Sequence, residues 1–85
     1  MNYEVNLQRL ASRALRRLRG KLRQRLDNAL LGLEANPRPH GCLKLTNRDE
    51  WRIRVGQYRV LYRIDDTTRQ VTVTWIGHRR DAYEG

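Results

Sequence analysis

Arginine side chains dominate the groups that could do chemistry in the second half of the chain. Arg52 and Arg54 alternate with apolar residues, and Arg59 comes just after the dipeptide Gly56-Gln57. A glycine-first pair between two alternating segments predicts a type II′ hairpin, whose register places Arg54 directly opposite Arg59. Two like charges that face each other cost roughly a few tenths of a kcal/mol or more unless an anion lies between them. The pair therefore predicts a phosphate-binding site.

A second group of polar side chains follows the last alternating segment. It consists of His78, Arg79, Arg80 and Tyr83. We expect Asp65 to pair with Gln70 across the preceding polar loop. In that register Arg59 faces Ile76, and the group lies beside Arg54 and Arg59. Arginine can hold a phosphate, and histidine or tyrosine can move a proton, so this end of the sheet is expected to bind a phosphate and transfer a proton without metal.

Composition points to the same kind of ligand. The chain has 85 residues, and its 18 Lys and Arg against 9 Asp and Glu give a net charge of +9. Sixteen of the basic residues are Arg, which favours bidentate phosphate contacts, so the expected partner is a polyanion. A single cysteine, Cys42, excludes an internal disulfide, and with two histidines it cannot complete a four-ligand zinc site. We expect no metal and no cofactor.

Length and hydropathy bound the class of protein. A chain this short is expected to form a single domain over residues 1–85. No run approaches the roughly 20 apolar residues of a membrane span. Residues 1–5 also lack the basic-then-apolar order of a signal peptide. The expectation is a cytoplasmic protein with no membrane partner.

Two predicted helices precede the strands. Apolar residues from Leu7 to Leu18 recur at helical spacing, with Asn6 as the predicted N-cap. Gly20 separates them from a second helical pattern over residues 22–33, which ends where Pro37 forbids continuation. The sequence therefore predicts a helical hairpin.

A dense stripe of basic residues lies on the outward faces of these helices. It consists of Arg9, Arg13, Arg16, Arg17, Arg19, Lys21, Arg23 and Arg25. A charged helix face is usually only solvated, but here no acid interrupts the stripe before Asp27. We therefore expect Arg13, Arg16, Arg17 and Arg23 to contact a polyanion such as a nucleic acid, and the same stripe could receive an acidic protein segment.

Beyond the proline break the apolar period changes to two, which predicts strands. The long ones cover residues 51–55, 58–64 and 71–76, with short ones at 2–5 and 43–46. One side of the sheet is apolar and should pack on the helices: Trp51, Ile53, Val55, Val60, Tyr62, Ile64, Val71, Val73 and Trp75. The aromatic residues of the strands are assigned to the core rather than to base stacking. The predicted fold is α+β, a helical hairpin on one face of a small antiparallel sheet.

The stretch from Trp51 to Tyr62 and the stretch Trp75-Ile76-Gly77-His78-Arg79-Arg80-Asp81-Ala82-Tyr83 resemble the RelE branch of the RelE/ParE toxin superfamily. Residues 3–5, the paired helices and the Pro-Arg-Pro-His-Gly segment fit the same pattern, so the likeness spans nearly the whole chain. The resemblance implies a RelE-like microbial RNase fold. It also implies a ribosome-dependent mRNA endonuclease that enters the A site and contacts ribosomal RNA. A RelB-like antitoxin would inhibit it. The free toxin would be a monomer, and the complex with the antitoxin would be a hetero-oligomer.

The resemblance also implies a chemistry. In that family a 2′-hydroxyl attacks the adjacent phosphorus without a metal and leaves a 2′,3′-cyclic phosphate. The matching positions are Arg52, Arg54, Arg59, Arg79 and Tyr83. Some members carry lysine at the first two, and arginine, whose pKa lies above about 12, is a poor base. Arg54 and Arg59 are therefore expected to stabilise the phosphorane, and Arg79 the departing 5′ oxygen. Proton transfer falls to His78 or Tyr83.

Two other functions stay open on the same fold. A ParE-like relative would poison DNA gyrase without cutting RNA, and a basic module could bind RNA without catalysis. The nuclease is favoured because the strand arginines and the group after the last strand are directed at a phosphate. Arg52, Arg63 and Arg80 are expected to add further contacts to the RNA.

Overall fold

Two helices precede a run of strands, in the order that the change of apolar period predicts. The computed structural model describes residues 2–78 and 80. The elements are β1 (Glu4–Leu7), α1 (Arg9–Arg16), α2 (Gly20–Ala35), β2 (Leu43–Lys44), β3 (Trp51–Val55), β4 (Tyr58–Asp65) and β5 (Gln70–His78). They form one sheet in the order β1-β5-β4-β3-β2 with both helices packed on it. The predicted α+β fold is confirmed.

The first strand departs from the prediction in position and direction. β1 ends at Leu7 and α1 begins at Arg9 with Gln8 as its N-cap, so the predicted N-cap at Asn6 is wrong. Asn6 instead pairs with Thr72 of β5, and this pairing is parallel. Two helices, rather than a tight turn, follow β1, so nothing forces it to pair antiparallel. The sheet is therefore mixed, with antiparallel pairing from β2 to β5.

The helices cover one face of this sheet, here called the inner face. α1 packs against β5, and α2 packs against β1 and β3. The buried core residues are Ala11, Leu15, Leu26, Leu30, Leu33, Ile53, Val55, Val60, Tyr62, Val71, Val73 and Ile76. Apolar burial of this kind is the main driving force of folding, and this cluster lies between the inner face and the helices. No helix in the described part of the chain is long and apolar enough to cross a membrane.

Tyr62 joins the core to the segment that follows α2. Its side chain is fully buried, and its hydroxyl donates a hydrogen bond of 2.7 Å to the carbonyl oxygen of Pro37. Burial raises the pKa of Tyr62, so the phenol stays protonated and keeps donating. The chain is thereby fixed to the sheet where it leaves the helices.

A surface cluster ties three distant segments together near the turn between β4 and β5. Arg38 donates to both carboxylate oxygens of Asp66 at 3.2 and 2.9 Å, and the Tyr3 hydroxyl donates to Oδ1 at 2.6 Å. These hydrogen bonds, from Arg38 first and then from Tyr3, lower the pKa of Asp66 to about 2. This arginine is therefore occupied by an acid and is structural.

Candidate active site

The hairpin between β3 and β4 fixes the first part of the site. Gly56 has φ +60°, whereas Gln57 is not among the residues with positive φ, as a type II′ turn requires. Arg54 pairs with Arg59, and Arg52 pairs with Leu61. The predicted hairpin register is confirmed, so two arginines lie directly opposite each other on the face turned away from α1 and α2, here called the outer face.

The pairing of β4 with β5 begins as predicted and then shifts by one residue. Asp65 pairs with Gln70, as expected, but Tyr62 pairs with Val73 and Leu61 with Trp75. Thr74 is the extra residue of a β-bulge. Beyond the bulge Arg59 pairs with Gly77, so the predicted pairing of Arg59 with Ile76 is wrong.

The shift exchanges the faces of the last residues of β5. Ile76 points into the core and is 3% exposed, and Trp75 lies on the outer face with its pairing partner Leu61. The predicted place of Trp75 in the core is therefore wrong. The indole covers Gly77 closely, because a Cβ added at Gly77 would lie 2.4 Å from Cζ2 of Trp75. An aromatic ring thus stands beside the strand arginines.

A buried carboxylate holds the bulge. Oγ1 of Thr74 donates to Oε2 of Glu50 at 2.7 Å and also lies 3.3 Å from the carbonyl oxygen of Leu61. Glu50 is 7% exposed, and its other oxygen is in an ion pair with Arg48. Nothing in the sequence singles out Glu50, since its partner Thr74 is 24 residues away. Its role follows only from the fold.

The outer face carries the predicted phosphate-binding residues. Arg54 is exposed, while Arg52 and Arg59 are half-buried with their Nε atoms shielded from solvent. Half-buried stems hold the guanidinium groups in fewer orientations than free surface arginines would have. We call Arg52, Arg54 and Arg59 the sheet arginines. They form a basic surface across β3 and β4.

Arg63 belongs to a different part of the outer face. It is exposed, pairs with Thr72, and lines an open depression together with Asp49, Asp65 and Asp66. Asp49, Asp65 and Asp66 therefore place negative charge around Arg63. In residues 2–78 and 80, no three His, Cys, Asp or Glu residues are grouped so that they could hold a metal ion.

His78 stands at the same end of the sheet as Arg54 and Arg59 but on the inner face. It pairs with Tyr58, and the two rings meet edge to face with centroids 5.7 Å apart. The backbone N–H of Arg80 donates to its Nδ1 at 3.2 Å, so a neutral imidazole carries its proton on Nε2. Arg80 itself is exposed. The predicted site residues Arg79 and Tyr83 lie outside the described residues.

The helical stripe divides into two groups. Arg13, Arg16 and Arg17 are exposed and make no ion pair within the described part of the chain; we call them the helix arginines. Arg23 is half-buried: its Nε contacts both Asp27 oxygens at 3.2 Å, and its Nη1 donates to the carbonyl oxygen of Leu15 at 3.1 Å. It ties α2 to the end of α1.

The fold is that of a class of small toxins, those of the RelE/ParE superfamily. A model of the ParE toxin of the type II toxin–antitoxin system parDE matches residues 5–83. The chain belongs to this family and is a toxin of a type II toxin–antitoxin system. The comparison with curated proteins finds no match.

Solved structures of RelE toxins resemble the chain over almost its full length. The RelE–RelB complex from Pyrococcus horikoshii matches with TM-score 0.84 and 26% identity, covering 96% of this chain and 100% of that chain. A RelBE toxin–antitoxin complex from Mycobacterium tuberculosis matches with TM-score 0.80 and 27% identity, covering 93% and 100%. A mutant of the toxin RelE from E. coli in the free state matches with TM-score 0.79 and 25% identity, covering 96% and 88%.

Proposed function

We propose that this toxin is a metal-independent endoribonuclease that cuts mRNA in the ribosomal A site. The observation that carries the proposal is the direct opposition of Arg54 and Arg59 on the outer face. Opposed guanidinium groups repel each other, and a phosphate between them turns that repulsion into two charge-assisted contacts. The similarity to RelE toxins supports RNA as the source of the phosphate.

The chemistry balances without a metal. The 2′-hydroxyl of one nucleotide loses its proton to a base and its oxygen attacks the neighbouring phosphorus. The bond from phosphorus to the 5′ oxygen of the next nucleotide then breaks, and that oxygen takes up a proton. The nucleotide whose 2′-hydroxyl attacked keeps a 2′,3′-cyclic phosphate. Negative charge accumulates on the phosphorane, where Arg54 and Arg59 stabilise it, while Arg79 stabilises the departing oxygen. Arg52 and Arg80 contact the substrate on either side, while the acidic residues beside Arg63 disfavour an RNA contact there.

The hydrogen bond at His78 bears on which residue moves the proton. Its Nδ1 accepts from the Arg80 backbone, so that lone pair is not available to a 2′-hydroxyl. The ring also lies beside Tyr58 on the inner face, away from Arg54 and Arg59. Both facts favour Tyr83 over His78 in proton transfer. His78 then positions the chain where it leaves β5.

The partners follow from the same proposal. The helix arginines Arg13, Arg16 and Arg17 are exposed and can dock on ribosomal RNA, with Arg23 at the edge of that surface. The P. horikoshii relative is a complex of RelE with RelB, which supports a RelB-like antitoxin here. The toxin would be monomeric when free, would form a hetero-oligomer with its antitoxin, and would act in the cytoplasm, where ribosomes translate.

A second candidate is supported by the family description. The model that matches residues 5–83 is that of the ParE toxin, and a ParE-like toxin would poison DNA gyrase without cutting RNA. Fold alone does not separate the two. The gyrase poison would block replication while mRNA stays intact, so translation and replication are measured separately after induction.

The test is a map of mRNA 5′ ends after brief induction of the toxin in cells. The wild type is expected to create new ends within codons, and Arg59→Ala, Arg79→Ala and Tyr83→Phe are expected to reduce them. Arg69→Gly is the matched control, since Arg69 is an exposed arginine in the turn before β5 with φ 57°, which glycine adopts readily. Cutting that persists in all three test variants would refute the assignment of the site.

A further inference from the structure

The bulge at Thr74 gives the outer face an aromatic residue that strict alternation would have buried. Trp75 lies on this face, with Leu61 as its pairing partner on β4 and Arg52 next to Leu61 on β3. Leu61 is 3% exposed although neither α1 nor α2 packs on this face. Trp75 is only half-buried, so part of the indole is open to solvent.

The orientation of the indole follows from its contact with Gly77. Three atoms of the six-membered ring, Cζ2, Cη2 and Cε2, would lie 2.4, 2.6 and 3.1 Å from a Cβ at that residue. The ring therefore rests on the backbone of Gly77. Any larger residue at position 77 would push the ring off.

The sheet arginines lie beside this ring. Gly77 pairs with Arg59, which pairs in turn with Arg54, so the ring and the two guanidinium groups share adjacent strands of one surface. An aromatic face next to cations that hold a phosphate is the arrangement by which proteins bind single-stranded nucleic acid. Every base has a π face, and the neighbouring phosphate supplies the charge.

We propose that the indole of Trp75 is a stacking platform for one unpaired base of the RNA whose phosphate contacts Arg54 and Arg59. This proposal rests on the proposed function for the identity of the ligand as RNA. The platform depends on the bulge, because without it Trp75 would point into the core. Glu50 and Thr74, which hold the bulge, are therefore positioning residues for the platform.

The test uses the full chain and a short RNA that carries 2′-O-methyl groups throughout and so cannot be cut. Matched oligonucleotides replace one base at a time by an abasic site, and binding is measured by fluorescence anisotropy at low salt. The wild type is expected to lose about tenfold in affinity when one particular base is removed, the usual size of base–aromatic stacking, and little at the other positions. Indifference of the wild type to every abasic site would overturn the proposal.

Variants locate the effect on the indole. Trp75→Leu is expected to bind every oligonucleotide equally weakly, and Trp75→Phe to keep part of the preference. The control Trp51→Phe changes the other tryptophan, which packs against the core, and is expected to behave as wild type. A preference that survives in Trp75→Leu would overturn the proposal. Thermal unfolding shows whether each variant is folded. If Trp75→Leu does not fold, the proposal is tested by Trp75→Phe and by the wild type with the abasic oligonucleotides.

Cleavage of ribosome-bound mRNA is measured separately. If the wild type loses affinity at one abasic position but cuts no mRNA, the stacking proposal stands and the nuclease proposal is refuted. A wild type that cuts mRNA but shows no preference would keep the nuclease and refute the stacking site.

Discussion

The sheet arginines and the helix arginines differ in how the fold holds them. Arg54 and Arg59 are cross-strand partners whose positions are set by a two-residue turn. The Nε of Arg59 is shielded from solvent, whereas Arg13, Arg16 and Arg17 project from the exposed side of α1 and its end. The pairing therefore fixes the backbone positions of the sheet group before any ligand arrives, and the half-buried Arg52 and Arg59 are more restricted than the exposed helix arginines.

This difference assigns the two groups different tasks. Stabilising a transition state requires charges that are already in place, because reorganising them during the reaction would cost part of the gain. Long-range attraction to a polyanion requires only charge, and salt screens it. We therefore expect changes in the sheet arginines to alter the rate of cutting, and changes in the helix arginines to alter affinity.

The largest effect is expected for Arg59→Ala. Loss of one preorganised charge at the phosphorane should lower the single-turnover cleavage rate on programmed ribosomes by about 100- to 1000-fold. The cleavage rate of Arg59→Lys should lie between those of the wild type and Arg59→Ala, since lysine keeps the charge but not the bidentate geometry. If Arg59→Ala cuts within about threefold of the wild-type rate, the sheet arginines do not act on the cleavage step as proposed.

A smaller effect, of another kind, is expected for the triple change of Arg13, Arg16 and Arg17 to glutamine. Cleavage at saturating toxin should stay near the wild-type rate, while ribosome affinity falls. The slope of log affinity against log salt should become shallower by roughly two to three, because each phosphate that the toxin no longer neutralises removes about 0.7 to 0.9 from it. An unchanged slope would mean that the helix arginines are only a solvated surface.

Thr74→Val asks whether the sheet arginines depend on the bulge. Valine matches threonine in shape but leaves Oε2 of the buried Glu50 without this donor, which should cost about 1 to 3 kcal/mol of unfolding free energy. Thr74→Ser retains the hydroxyl and is the control. Denaturant melts measure stability, and cleavage should fall with Thr74→Val more than with Thr74→Ser. Equal stability of the two variants would show that Glu50 does not hold the bulge.

The smallest effect is expected for Asp66→Asn, which removes the carboxylate that pairs with Arg38. The pKa of Asp66, lowered to about 2 in the folded chain, lies below the unfolded value near 3.9. The stabilisation is therefore present above about pH 4 and is lost as the pH falls towards 2. Asp66→Asn should flatten the dependence of unfolding temperature on pH in that window, without a change in cleavage at neutral pH. If Asp66→Asn and the wild type show the same dependence of unfolding temperature on pH, Asp66 is not the cause of that dependence.

The sequence predicted those parts of the site that local chemistry decides. Gly56 sets the turn, and the turn sets the opposition of Arg54 and Arg59. The bulge was missed because Trp75 and Ile76 are both apolar, so either could continue the alternation from Val73. The choice is made by a hydrogen bond between Thr74 and Glu50, far apart in the chain.

The first strand was misjudged for a similar reason. Leu7 fits both a strand that ends there and a helix that begins there, and pairing with Val73 of β5 decides for the strand. A long-range partner supplies that pairing, and its backbone hydrogen bonds favour the extended form. Local patterns thus predicted the class of fold, and the partners across the sheet set its register.

The most direct test of the proposed nuclease is cleavage by purified toxin of an mRNA with one defined codon in the A site. We predict a cut within that codon, a 2′,3′-cyclic phosphate at the new end, no cut without ribosomes, and almost none with Arg59→Ala. Intact mRNA under these conditions, or equal cutting by wild type and Arg59→Ala, would contradict the proposal.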